Sequence, residues 1–207
     1  MLDRTRNVFF IHIPKTGGTS IEGAHGFKPK NVLMRHQNAR ALLAEPSPPQ
    51  KVFVVKRNIF DRLKSTYRHF HRTPIYVGER TPEDFSFEAY IHGIRRFFER
   101  DNVLLKHHRL YFKEDRKTPV ASLRHIQPFH WWTDGIEHPI ILRFETLSAD
   151  YERYIRPITG LSVKTHLNKA PSGSEIPAEY TPEMVDIVER YYSKELVGTA
   201  GFEPATP

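Results

Sequence analysis

The residues best able to do chemistry in this chain of 207 residues lie in one short segment, His12-Ile13-Pro14-Lys15-Thr16-Gly17-Gly18-Thr19-Ser20. Glycines let backbone N–H groups turn toward a bound anion, and the N-terminus of a helix favours negative charge. Lys15 adds a mobile positive charge, although it precedes both glycines and so departs from the Walker pattern. An ordinary turn with a solvated lysine is the alternative. We predict an anion-binding loop made of Lys15, Thr16, Gly17, Gly18, Thr19 and Ser20.

A second segment with candidate anion ligands follows the apolar run Lys51–Lys56. Ligands of a parallel sheet bind at the carboxyl ends of its strands, so Arg57 is expected at the same edge as Lys15. Ser65 lies two turns into the next predicted helix, where its hydroxyl would join Arg57 on a second phosphate. The alternatives are a surface ion pair between Arg57 and Asp61, and a neutral helix position for Ser65.

Apolar periodicity predicts the elements that hold these segments in place. Predicted strands cover residues 8–13, 51–56 and 139–147, and predicted helices lie near 20–24, 37–43, 59–70, 85–98, 151–158 and 181–196. The third of these helices has one apolar stripe, formed by Ile59, Leu63, Tyr67 and Phe70. Because strands alternate with helices, the pattern indicates a parallel α/β fold.

The length, net charge and cysteine content of the chain exclude several classes of protein. The length fits one domain, predicted at residues 1–200 with a loose tail at 201–207, and no apolar run reaches the roughly 18 residues of a membrane helix. The net charge of +7 favours an anionic partner. Because the chain has no cysteine, disulfides, cysteine nucleophiles and thiolate metal sites are excluded, and a reducing compartment is favoured.

The two segments together resemble the cofactor motifs of the sulfotransferases that use 3′-phosphoadenosine-5′-phosphosulfate (PAPS), particularly the branch that includes carbohydrate O-sulfotransferases. The resemblance rests on Ile13–Ser20 and on the pattern Arg57-Asn58-x-x-Asp61-Arg62-Leu63-x-Ser65-x-Tyr67. Weaker likeness extends to His125-x-Gln127-Pro128, to Leu142–Leu147, and to Asn168, Ser172 and Tyr180–Glu183.

This resemblance implies a single-domain, P-loop-like, three-layer fold whose central, mainly parallel sheet is flanked by helices. In the family, the first loop holds the 5′-phosphosulfate, while the arginine and serine of the second motif hold the 3′-phosphate. Carried over, Lys15–Ser20 would bind the 5′ end of PAPS, and Arg57 and Ser65 its 3′ end. The reaction is transfer of a sulfuryl group to a hydroxyl, with Lys15 stabilising the charge and no metal required.

His36 is the predicted general base. Several carbohydrate branches similar to this chain place a catalytic histidine in the interval between the two motifs, and an imidazole with a pKa near 6.5 accepts a proton at neutral pH. A helix-cap or surface role for His36 is the alternative. Some relatives use a glutamate, which makes Glu22 the second candidate, although a solvated or supporting position on the first helix is favoured for it.

The implied partners are PAPS and a hydroxyl-bearing acceptor such as a glycan, without nucleic acid or integral membrane contact. Because the sequence has no cysteine and no apolar run typical of a membrane anchor, we expect the protein to lie in a bacterial or viral-host cytoplasm. A P-loop-like nucleotide kinase or hydrolase is disfavoured by the lysine position and by the lack of a Walker-B strand ending in Asp. A basic nucleic-acid-binding protein is disfavoured because the glycines and hydroxyls are concentrated in one turn.

Two other groups of residues have a simpler alternative. The histidines at 69, 71, 107, 108, 125 and 130 invite a metal site, but they lack a pattern such as H-E-x-x-H, and a metal is disfavoured. The basic stretch at 95–113 is either a solvated helix face and loop or a groove for an acidic acceptor.

Overall fold

A computed structural model describes residues 1–27, 36–44, 46–47, 49, 51–72, 85–101, 103–106, 109–112, 119–163 and 176–196. Its strands are β1 (Leu2–Asp3), β2 (Val8–Ile11), β3 (Lys51–Lys56), β4 (Val103–Lys106), β5 (Arg109–Phe112), β6 (Pro119–Ser122) and β7 (Ile140–Arg143). Its helices are α1 (Gly18–His25), α2 (Ala39–Leu43), α3 (Ile59–Arg72), α4 (Phe87–Phe98), α5 (Leu123–Ile126), α6 (Phe129–Thr133), α7 (Leu147–Tyr154), α8 (Arg156–Thr159) and α9 (Pro182–Leu196). The predicted tail at 201–207 lies outside the described residues, as do Asn168 and Ser172.

The chain forms two units, each assembled from two separate stretches of sequence. The first unit contains Met1–Arg57 and Phe129–Pro171, and the second contains Asn58–Pro128 and Ser172–Pro207. The boundary therefore divides the second candidate segment, because Arg57 belongs to the first unit, with Lys15–Ser20, and Ser65 belongs to the second.

The first unit is built on a four-stranded sheet of order β1-β2-β3-β7. Strands β2, β3 and β7 are parallel, and the short β1 is antiparallel to β2. Phe10 lies opposite Phe53, and Ile11 lies opposite Val54. The chain is thus an α/β protein with a mostly parallel open sheet, in agreement with the alternating pattern of strands and helices.

Both faces of this sheet are covered by apolar side chains, which explains the continuous apolar runs of β2 and β3. On one face, Phe10, Phe53 and Val55 pack with Ile21 and Tyr151 from the helices α1 and α7. The opposite face carries a second cluster from strands and helices, made of Phe9, Ile11, Ile13, Val54, Ala39, Leu42 and Trp132. The carboxyl ends of β2 and β3 are therefore held rigidly between two packed layers.

The second unit combines helices with a three-stranded antiparallel sheet of order β4-β5-β6. The predicted stripe of α3 is confirmed, since Ile59, Leu63, Tyr67 and Phe70 all belong to the core of this unit. Helix α3 begins where the side-chain oxygen of Asn58 accepts the N–H of Phe60 at 2.9 Å, which satisfies one of the first-turn donors. The described residues contain no helix long and apolar enough to cross a membrane.

A buried arginine in the second unit has a structural role. Arg62 is 1% exposed, its Nη2 donates to the carbonyl of Gln127 at 2.8 Å, and its Nη1 lies 3.5 Å from a carboxylate oxygen of Glu195. These contacts join α3 to the segment before α6 and to α9. A buried guanidinium requires such partners, because an unpaired charge in the interior is strongly unfavourable.

Two sequence predictions differ from the structure. The strand expected at 139–147 ends at Arg143, because the Asp150 carboxylate accepts the Arg143 N–H at 2.9 Å; the helix expected at 151–158 instead begins at Leu147 and breaks at Ile155. In the basic stretch, Arg95 and Arg96 lie on helix α4, whereas residues 103–106 and 109–112 form strands where a loop was the alternative.

Candidate functional site

The loop between β2 and α1 has a backbone that ordinary side chains rarely adopt. Lys15 has a φ of 65°, and Gly17 has a φ of 79°, so both lie in the left-handed region. Such a conformation is unfavourable for lysine and is retained only where the surroundings fix it, which makes it a marker of functional loops. Gly17 also serves as the N-cap of α1 and provides no side-chain oxygen to its first turn.

Both glycines of the loop are required by close contacts. A Cβ atom added to Gly17 would lie 3.1 Å from the ring of Phe144, while a Cβ added to Gly18 would lie 2.1 Å from the imidazole of His12. The second distance is shorter than any real contact, so residue 18 can carry no side chain while His12 occupies its present position. The sequence predicted glycines that face an anion, whereas Gly18 also makes room for a buried histidine.

The hydroxyl-bearing residues of the loop have different surroundings. Thr16 is fully buried, and its Oγ1 donates to the carbonyl of Ile13 at 2.9 Å, so this hydroxyl stabilises the turn. Thr19 is half-buried and Ser20 buried, both in the first turn of α1. The Thr16 hydroxyl is therefore engaged in a hydrogen bond inside the loop. If Thr16 contacts a ligand, the contact would be made by its backbone N–H.

Arg57 lies beside the loop at the end of β3. Its Nη1 donates to the carbonyl of Lys15 at 3.0 Å, and its guanidinium stacks 4.2 Å from the ring centroid of Phe144. Lys56, the last residue of β3, has its ammonium 5.5 Å from the ring of Phe129. The structure thus brings the guanidinium of Arg57 to the backbone of Lys15, and three basic residues, Lys15, Lys56 and Arg57, lie at or just after the carboxyl ends of β2 and β3. Such a cluster favours an anionic ligand.

Beneath the loop lies a buried histidine–carboxylate pair that sequence reasoning missed. Nδ1 of His12 lies 2.8 Å from Oε1 of Glu22, and each residue is 4% exposed. The expectation of a solvated Glu22 is therefore wrong, whereas a supporting position agrees with this geometry. The sequence carries one signal for this pair, because Gly18 and Glu22 are four residues apart and so share one face of the predicted helix. In the structure, His12 contacts that face.

His36 is connected to the loop through the backbone of His12. Its Nδ1 lies 2.9 Å from the carbonyl oxygen of His12, and its ring packs edge-on against the His12 ring at a centroid distance of 4.5 Å. A carbonyl oxygen only accepts, so Nδ1 of His36 carries the proton and the lone pair of the neutral ring is on Nε2. Because His36 is buried, the alternative of a surface residue is contradicted.

Ser65 belongs to the other unit of the chain. It is half-buried on α3, which belongs to the second unit, whereas Lys15, His36 and Arg57 belong to the first. Its predicted role beside Arg57 stays a prediction.

The histidines of the second unit make contacts unrelated to metal binding. Nε2 of His71 lies 3.0 Å from the carbonyl of Phe85, and the rings of His69 and His125 are 6.2 Å apart. Among the residues that the structure describes, no group of three or more metal-ligating side chains is found. His107 and His108 lie outside them.

At the other end of α1, a second buried histidine–carboxylate pair belongs to a hydrogen-bond network that includes Tyr151 and, through Asp3, Arg6. His25 Nδ1 lies 3.0 Å from Asp3, and His25 Nε2 lies 2.8 Å from the hydroxyl of Tyr151. Burial raises the pKa of Asp3, but hydrogen bonds from His25 and Arg6 outweigh it, so that this pKa lies below its usual value. Burial lowers the pKa of His25 despite Asp3, and burial also raises the pKa of Tyr151.

These pKa directions define the hydrogen bonds of the network. An ionised Asp3 accepts from Nδ1–H of a neutral His25, and Nε2 of His25 then accepts from the hydroxyl of Tyr151. Every polar atom named here has a partner within the network, which marks it as structural.

No known protein family, curated protein sequence or solved structure matches this chain. The interpretation of the site therefore depends on its residues and their geometry.

Proposed function

We propose that the protein is a PAPS-dependent sulfotransferase that transfers a sulfuryl group to a hydroxyl, with a carbohydrate as the acceptor class, and that its first unit is a P-loop-like nucleotide-binding fold. One observation carries the proposal: the backbone of residues 12–15 contacts both the cation Arg57 and the base candidate His36. An anion loop, a second cation and a proton acceptor are thereby joined in one short segment. The resemblance of the two sequence motifs supplies the identity of the donor.

The reaction needs three contributions from the protein. The acceptor oxygen forms a bond to sulfur while the bond between sulfur and the bridging phosphate oxygen breaks, and adenosine 3′,5′-bisphosphate leaves with that electron pair. The hydroxyl proton passes to Nε2 of His36, which holds the lone pair of the neutral ring. The ammonium of Lys15 stabilises the charge that develops on the transferred group. Arg57 and Ser65 take the 3′-phosphate in this proposal.

The strained backbone at Lys15 supports this assignment. A left-handed lysine is maintained here by the bond from Arg57 to its carbonyl oxygen, although a glycine would adopt the same φ with less strain. Retention of a charged side chain at such a position is explained if the ammonium itself is needed.

The first test is calorimetry with adenosine 3′,5′-bisphosphate, with ATP as the competing ligand. We expect binding of the bisphosphate in the micromolar range or tighter and weaker binding of ATP. Failure to bind the bisphosphate at micromolar protein concentration would overturn the proposal, and preference for ATP would favour a kinase or hydrolase. Salt-sensitive DNA binding without nucleotide preference would instead indicate a nucleic-acid-binding protein.

Variants then separate the roles. Lys15→Ala and Arg57→Ala are each expected to abolish transfer, the latter mainly by weakening bisphosphate binding. His36→Ala is expected to retain bisphosphate affinity while losing turnover by about 10²- to 10⁴-fold, the usual contribution of a general base. Lys51→Ala is the matched control, because Lys51 is an exposed lysine at the opposite end of β3. Near wild-type turnover in His36→Ala would remove only the base assignment.

The acceptor is tested with labelled PAPS and a panel of glycans and small hydroxyl compounds. Transfer to a glycan would support the carbohydrate class. Transfer confined to non-carbohydrate alcohols or phenols would keep the sulfotransferase and overturn the acceptor class.

A further inference from the structure

We propose that Glu22 and His12 form a positioning pair that holds His36 in the tautomer required of a base. This inference rests on the proposed function, because it assigns a role to two residues behind the proposed base. Neither residue is a base for the acceptor in this arrangement, since each is 4% exposed and they bind one another.

The first step is the bond between the two side chains. Nδ1 of His12 and Oε1 of Glu22 are 2.8 Å apart, with both side chains 5% exposed. A carboxylate only accepts, so Nδ1 of His12 must carry the proton. Because both side chains are buried away from solvent, this hydrogen bond is stronger than it would be at the surface, and it fixes the plane of the His12 ring.

The second step runs from His12 to His36. The carbonyl oxygen of His12 accepts from Nδ1 of His36 at 2.9 Å, and the two rings meet at an interplanar angle of 60° with their centroids 4.5 Å apart. The backbone carbonyl of His12 accounts for the tautomer, while the contact with the His12 ring holds the His36 ring in the orientation in which its Nδ1 reaches that carbonyl. Of these two contacts, the one between the rings depends on the side-chain bond from Glu22 to His12. A histidine bonded in this way at Nδ1 presents Nε2 as its basic atom.

The third step connects the pair to the anion loop. The edge of the His12 ring that contains Nε2 occupies the space that a side chain at Gly18 would require. The first turn of α1 and the base candidate are thus both in contact with His12, and Glu22 holds His12 from within α1. Loss of the carboxylate removes the hydrogen bond that fixes the plane of the His12 ring, although its stacking on Phe10 at 5.4 Å remains. The edge-on contact that orients His36 is expected to loosen as a result.

The closing experiment compares three variants by NMR of ¹⁵N-labelled histidine rings, with His36→Ala identifying the His36 signals. Glu22→Met keeps the side-chain length but removes the acceptor, and Glu22→Gln keeps an acceptor oxygen. Asp3→Asn is the matched control, because it alters the other buried histidine–carboxylate pair of the same unit. Turnover, KM and the Kd for adenosine 3′,5′-bisphosphate are measured in parallel.

We expect wild-type His36 to be protonated at Nδ1 in its neutral form. Glu22→Met should yield a mixture of tautomers and lower kcat by about 10- to 100-fold, the usual loss when the partner that orients a functional histidine is removed, with a bisphosphate Kd within about threefold of wild type. Glu22→Gln should keep the Nδ1–H tautomer and most of the turnover. Asp3→Asn should leave the His36 spectrum and kcat unchanged.

A wild-type His36 protonated at Nε2 would overturn the inference without any variant, even if Glu22→Met failed to fold. An unchanged His36 tautomer and kcat in a folded Glu22→Met protein would also overturn it. Failure of the proposed function has a different signature: the wild-type protein would not bind the bisphosphate, while the NMR comparison would still decide whether Glu22 and His12 orient His36.

Discussion

The two ends of helix α1 carry the same chemical pair in different settings. At its N-terminal end, His12 and Glu22 are 2.8 Å apart, and at its C-terminal end, His25 and Asp3 are 3.0 Å apart. The C-terminal pair is completed by Tyr151 at the second ring nitrogen of His25. The N-terminal pair instead contacts Gly18 through the His12 ring and His36 through the His12 carbonyl.

This difference shows that burial and pairing alone do not identify a functional histidine. A histidine with both ring nitrogens bonded within the protein contributes to stability. Under the proposed function, the pair that contacts the strained loop and the ring of His36 affects the transfer reaction as well. The surroundings of the glycines at the two ends of α1 differ in the same way. Gly18 is enclosed by His12, while Gly26 after the same helix has nothing within 4 Å of an added Cβ.

The largest effect is expected from Gly18→Ala. The added methyl group would displace His12 and break its bond to Glu22, so we expect the free energy of unfolding to fall by about 3 kcal/mol and transfer to fall by at least about 100-fold. Gly26→Ala is the control, with a φ of 65° and open space around it. It should lose about 1 kcal/mol through backbone strain alone and keep its activity.

Urea unfolding followed by circular dichroism, together with transfer rates, distinguishes the two variants. Equal transfer rates in Gly18→Ala and Gly26→Ala would contradict the coupling of the N-terminal pair to the site.

A smaller and purely structural effect is expected from Asp3→Asn. The pKa of Asp3 is lower in the folded protein than its ordinary value of 3.8, so its ionised form stabilises the fold above that pH and this contribution is lost as the pH falls through the folded pKa. The variant should be about 2 kcal/mol less stable than wild type at pH 7. The difference should begin to shrink as the pH falls below 3.8, where the unfolded chain protonates Asp3 before the folded protein does, and should be lost below the folded pKa.

The pKa of His25 is also lowered, from 6.5, so the unfolded chain takes up its proton first and stability declines as the pH falls below that value in both proteins. Unfolding curves at pH 7, 5.5 and 3.5 test this expectation. A constant difference across the range would show that the Asp3 carboxylate is not the cause, and a loss of transfer at pH 7 would show that the C-terminal network reaches the site.

Much of the framework around α1 was predictable from the sequence, since it depends on local patterns. The β-branched run Lys51–Lys56 forms β3 with the predicted bounds, and the glycines and Lys15 mark the loop. Arg57 was expected at the same edge because parallel strands end together. The three-stranded sheet was not predicted, because the sequence between Lys106 and Arg109 has none of the Gly, Asn or Asp residues typical of tight hairpins.

The buried pairs could not be derived in this way. Glu22 lies on a short helix, where a charged residue is usually solvated, and its burial depends on the contact between α1 and the end of β2. His25 and Tyr151 are far apart in sequence and meet through packing on one face of the sheet. Tertiary packing, rather than any local pattern, places these groups together.

Two substitutions of Lys15 separate the effect of backbone strain from the effect of the positive charge in the loop before α1. Its φ of 65° is unfavourable for alanine but not for glycine, so Lys15→Gly should be more stable than Lys15→Ala by about 1 to 2 kcal/mol. Both variants should be inactive in transfer, because both lack the ammonium. Equal stabilities would contradict the strain argument, and activity in the glycine variant would show that the loop backbone, not the charge, is what the reaction requires.

The smallest effect is expected from Tyr151→Phe, which tests whether the C-terminal network is separate from the proposed site. The hydroxyl of Tyr151 lies 2.8 Å from Nε2 of His25, and its removal leaves that buried nitrogen without this donor. We expect the free energy of unfolding to fall by about 1 kcal/mol with no change in transfer rate. Tyr154→Phe, on the same helix but 41% exposed, should change neither quantity. A clear loss of transfer in Tyr151→Phe alone would mean that both ends of α1 act on the site, and the distinction between a structural and a functional histidine pair would then fail.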